Sequence, residues 1–73
     1  MILPDSEGGS PLLAEAAREL QAATHDAQVA FDCIGLGEYD RAHTSAVTAR
    51  TAVDAAVTAL QAALTQIRQI PGS

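Results

Sequence analysis

A chain of 73 residues, 48% apolar, 18% charged and carrying a net charge of −5, makes one small domain at most. Nine Asp and Glu against four Arg exclude a nucleic-acid backbone binder and disfavour an anionic membrane surface. Trp is absent, Phe and Tyr occur once each, and the lone Cys33 forbids an internal disulfide, so oligomerisation or a partner is the expected source of stability.

Residues 1–9 contain Pro4, Asp5, Ser6, Glu7, Gly8 and Gly9 and are expected to form a flexible N-terminal arm. The opening Met1-Ile2-Leu3-Pro4-Asp5 shows no basic start and no long apolar run, so no secretory signal is expected. No apolar stretch approaches the ~20 residues that span a bilayer. An unpaired Cys suits a reducing compartment, which points to the cytoplasm, alone or within a larger assembly. The absence of Lys beside sixteen Ala is a bias of GC-rich genomes and points to a bacterial or phage source.

Residues 10–71 are predicted to form a helical hairpin, with 72–73 as a tail. Ser10 is placed to cap a helix whose first position is Pro11, where a missing N–H costs nothing. Glu15 and Glu19 suit the positive end of the dipole. This helix is expected over about 11–34, with Gly35 and Gly37 stopping it and a turn over 35–37. A second helix is expected over about 38–70, ended by Pro71-Gly72. So short a connection makes the two helices antiparallel neighbours, and no window alternates as a strand does. The fold class is all-α.

The second helix carries a seven-residue repeat: Thr51-Ala52-Val53-Asp54-Ala55-Ala56-Val57, Thr58-Ala59-Leu60-Gln61-Ala62-Ala63-Leu64, then Thr65-Gln66-Ile67-Arg68-Gln69-Ile70. Such a period marks helices packed in supercoil fashion. Ala46, Val53, Leu60 and Ile67 form one stripe, Ala49, Ala56, Ala63 and Ile70 its companion, and Val57 and Leu64 widen the face. Thr44, Thr51, Thr58 and Thr65 fall opposite. On the first helix Leu13, Leu20, Ala27 and Ile34 recur every seven residues, flanked by Ala16, Ala23, Ala30, Ala17 and Phe31. The two apolar faces are expected to close on each other, with small Ala side chains letting the helices approach closely. The Thr, Ala and Gln back of the longer helix is a poor coat for solvent, so a second hairpin is expected against it, giving a homodimeric four-helix bundle. The interface residues are Leu13, Leu20, Phe31, Val53, Val57, Leu60, Leu64 and Ile67. A monomeric hairpin with a mild Thr/Ala surface is the plainer alternative.

Chemistry-bearing residues are few. Asp40 and His43 stand three apart on one helix, a spacing that can place a carboxylate and an imidazole on one metal, with Cys33 and Asp32 across the turn. Asp32 lies on an outward line, however, and Asp40 doubles as a first-turn acid. His25 beside Asp26 lies outside the core, and no nucleophile or oxyanion site accompanies it. Gly35-Leu36-Gly37 is too short to cradle phosphate. The Thr line is a candidate hydroxyl comb, although Thr on a solvent face is more often filler. No catalytic residue, metal or cofactor is expected.

Gly37-Glu38-Tyr39-Asp40-Arg41-Ala42, followed by Ala46 and Ala49, resembles the turn and second-helix start of a tetratricopeptide repeat. In that family Gly ends the first helix, the aromatic fills the elbow and small Ala permits close packing. The resemblance covers about 13 residues and implies protein–protein binding without catalysis. Asp26 and Asp54 depart from the family pattern, and the ~34-residue unit is not repeated. In architecture alone, the two helices and central turn also resemble hairpins exported by type VII secretion systems. Those carry a Trp-x-Gly turn, where this chain has Leu36 between two Gly.

The function expected is a non-enzymatic module that assembles with itself or with another helical protein, as scaffold, adaptor or structural subunit. Two other classes are a small metal-binding or redox bundle using Asp40, His43 and Cys33, and an acidic, antitoxin-like inhibitor of a basic protein.

Overall fold

The computed structural model describes residues 10–69. The expected arm over 1–9 and the expected helix end at Ile70, Pro71 and Gly72 lie outside the described residues. Two helices, α1 (Pro11–Gly35) and α2 (Tyr39–Arg68), pack against each other as an antiparallel hairpin.

Ser10 stands in extended conformation, and its Oγ accepts the Leu12 amide at 3.0 Å, satisfying one of the orphan donors of the first turn. That turn holds no acidic residue; Glu15 lies beyond it. At the other end of α1 the break comes later than expected. Gly35 is the last helical residue, Leu36 is right-handed, and only Gly37 adopts positive φ, +76°. The Gly37 amide donates to the Ile34 carbonyl at 3.1 Å and the Glu38 amide to the Cys33 carbonyl at 2.8 Å. This is the Schellman pairing, which needs a left-handed residue at that one position. The turn therefore covers 36–38 rather than 35–37, and α2 starts at Tyr39. Asp40 in the first turn of α2 and Arg68 in its last both complement the helix dipole.

In the seam between the helices the small Ala side chains do let the backbones approach, but the bulky row expected beside them is not inside it. Its residues are small: Ala16, Ala23, Ala30 and Cys33 on α1, and Ala42, Ala49, Ala52, Ala56, Ala59 and Ala63 on α2 are buried. Leu13, Leu20, Val53 and Ile67, expected to meet across the seam, stand beside it and remain 39–47% exposed, while Leu60 is half-buried. Ala at every seventh position on both helices lets two backbones approach closely, and a Leu in the same row would hold them apart. The interior is correspondingly thin. At ~0.8 kcal/mol per methyl, the nine buried Ala supply about what three buried Leu would. With extents of 56 × 24 × 13 Å, the chain is a slab about one helix thick.

Candidate interaction surface

Most of the large exposed apolar side chains lie on one broad side of this slab; Val47, half-buried, lines the groove on the other. Leu20 and Ile34 each follow a seam Ala of α1 by four residues, as Val53, Leu60 and Ile67 do on α2; Phe31, Val57 and Leu64 follow one by a single residue. Each step carries the side chain the same way round its helix from the contact line. In an antiparallel pair, equal rotations bring both stripes to the same side. The other side confirms the geometry, because Glu19, Ala22 and Asp26 of α1 share one groove with Thr48, Thr51 and Ala55 of α2.

Leu13, Leu20, Phe31, Ile34, Val53, Val57, Leu64 and Ile67 are between 39% and 71% exposed. At roughly 60–120 Å² for a fully exposed aliphatic side chain and about 200 Å² for Phe31, they leave on the order of 500 Å² of apolar surface open. The largest patch on an ordinary monomer is about 300–600 Å², so this total lies in the upper part of that range. Sequence reasoning missed the turn end of this face. Ile34, Leu36 and Tyr39 are 59%, 71% and 67% exposed and extend the surface beyond Phe31. Ile34 completes the seven-residue line from Leu13 and was the available signal; Leu36 and Tyr39 lie in or beside the turn, where periodicity gives none.

The bulky stripe and the Thr, Ala and Gln back are both open in the single hairpin, and the stripe is the more apolar of the two. The Thr residues of that back are exposed, and three of the four are engaged with their own helix. The Oγ1 atoms of Thr51, Thr58 and Thr65 donate to the carbonyls of Val47, Asp54 and Gln61 at 3.2, 3.2 and 2.9 Å. A hydroxyl that donates to the preceding turn is no longer free to donate outward.

The chemistry-bearing residues do not converge. Cys33 is 3% exposed within the seam, whereas Asp32, Asp40 and His43 are exposed at the surface. No group of three or more His, Cys, Asp or Glu among the described residues could hold a metal ion. His25 is exposed and Asp26 half-buried in the groove opposite the apolar face. Glu38 and Arg41 pair at 2.6 Å on the open surface, where such a pair contributes little. Among the described residues, no helix is long and apolar enough to cross a membrane. Comparison with protein-family models, with curated proteins and with solved structures finds no match for this chain.

Proposed function

We propose that the protein is a non-enzymatic assembly module whose apolar face is covered by a second copy of the same chain, forming a four-helix bundle. One observation carries this reading: the bulky side chains stand together on one side, while the seam is filled by Ala and Cys33. The exposed apolar area, on the order of 500 Å², would form the centre of an interface of the standard ~800 Å² per partner, with polar residues making up its rim. Burial in a dimer would also supply the large-residue core that the single hairpin lacks. A self-complementary patch closes with twofold symmetry and leaves no further apolar surface to propagate.

Sedimentation across a dilution series tests the reading. A dimer at micromolar concentration is expected, with Leu64→Asp shifting it to monomer. A wild-type chain that stays monomeric and fully helical at high concentration overturns it.

A further inference from the structure

We infer that the groove on the side opposite the apolar face receives a cationic helix of another protein. Glu19, Ala22 and Asp26 of α1 share this groove with Thr48, Thr51 and Ala55 of α2. It stays open whether or not a second copy covers the apolar face.

All the polar side chains that line the groove are acceptors. Glu19 and Asp26 are half-buried, and an ionised carboxylate only accepts hydrogen bonds. The Oγ1 of Thr48 donates to the Thr44 carbonyl at 3.1 Å, and that of Thr51 to the Val47 carbonyl at 3.2 Å. With their protons committed to their own helix, both hydroxyls offer the groove lone pairs alone. Among the described residues no cation lines the groove, and the ion pair between Arg41 and Glu38 lies outside it. Acceptors and uncompensated negative charge together call for a positively charged ligand rich in N–H donors. The guanidinium of Arg meets both needs. A second copy of this chain fits the groove poorly on charge, because it carries nine acids against four Arg and no Lys.

The shape of the groove selects a helix. Its apolar lining is Ala22, Val47, Ala52 and Ala55, short side chains that let a third helix lie along the pair at close range. Glu19 and Asp26 stand seven residues apart, about 10.5 Å along the axis and nearly on one line. A helix laid alongside α1 matches that interval when it carries Arg at every seventh position.

Peptide binding to the full chain tests the inference. The probe is an Ala-rich helical peptide of about 20 residues with Arg at every seventh position, and its control has the same composition with the Arg dispersed round the helix. Fluorescence anisotropy at about 50 mM salt should show the first peptide bound about tenfold more tightly than the second, with the difference shrinking at about 300 mM. Glu19→Gln combined with Asp26→Asn keeps the shape, removes both charges and should weaken the first peptide about tenfold. Asp32→Asn combined with Asp54→Asn removes the same charge from exposed positions outside the groove and should leave its affinity within about twofold of wild type. The comparison of the two peptides uses the unaltered chain, so it stands even if a variant fails to fold. Equal binding of the two peptides, equal losses in the two double variants, or no binding at low salt overturns the inference. Salt-sensitive self-association that the groove variant abolishes would assign the groove to a second copy and overturn it as well.

Discussion

The Glu38 amide reaches back to the Cys33 carbonyl at 2.8 Å, and the bond closes only because Gly37 between them sits at φ +76°. A side chain there adopts a backbone conformation that costs an L-residue roughly 1–2 kcal/mol. Gly37→Ala should therefore destabilise the protein by about 1 kcal/mol. Gly35, two residues earlier, is helical, and an added Cβ there meets nothing within 4 Å. Gly35→Ala should stabilise by about 0.5–1 kcal/mol through helix propensity. Thermal denaturation of both variants should show melting temperatures moving in opposite directions, by several degrees in a domain this small. Parallel shifts would show that the turn is not held by the left-handed residue.

Seam and surface Ala residues should respond differently to the same substitution. Ala63 is 0% exposed between the helices, while its neighbour Ala62 is exposed. Leu and Ala have similar helix propensity, so the substitution isolates packing. Ala63→Leu forces the helices apart and should cost about 1–3 kcal/mol. Ala62→Leu should stay within about 0.5 kcal/mol of wild type. Urea denaturation gives both values, and equal effects would contradict a close Ala seam.

Much of this fold is written locally in the chain. Ser10-Pro11 marks the start of α1, Gly37 marks its break, and the 51–70 repeat announces two long helices packed along their length. The rotation of those helices about their own axes is not written so plainly. Ala49 and Val53 are four residues apart, a difference of about 40° around a helix, and a seven-residue period is equally present in both rows. Weighing residues by size favours the Val53, Leu60 and Ile67 row as the inner one. Close approach of two backbones favours the Ala row instead, and the latter prevails here. The bulky row expected on the inner face therefore stands one step away from the contact line. Its residues flank the intramolecular seam, and their exposure follows from that step.

The Ser10 cap should be separable from the seam. Its Oγ accepts the Leu12 amide at 3.0 Å, and no acidic side chain in the first turn supplements it. Ser10→Ala should cost about 1 kcal/mol, whereas Ser10→Asp retains the acceptor and adds a charge that favours the helix N-terminus. Amide exchange at Leu12, Leu13 and Ala14 should accelerate in the Ala variant and stay at or below the wild-type rate in the Asp variant. Unchanged exchange at Leu12 on removal of the hydroxyl would contradict the capping bond.

Cys33 should behave as a packing residue. At 3% exposure it lies in the seam facing α2, between Ala30 and the turn, while Phe31 and Ile34 on either side of it carry the apolar face. A second copy docked on that face, as proposed above, would meet Phe31 and Ile34 without reaching the sulfur. A disulfide needs Cα atoms about 4.4–6.8 Å apart, so linkage of two copies through Cys33 would require the hairpin to open first. Two outcomes are expected. The native protein should react with a thiol reagent at least tenfold more slowly than the same chain in denaturant, since reaction awaits local opening. Non-reducing electrophoresis after aerobic incubation should show the monomer band alone, even where sedimentation shows a dimer. Rapid labelling of the native chain, or a disulfide-linked dimer forming without denaturant, would place the sulfur at the surface and contradict the Ala-lined seam around it.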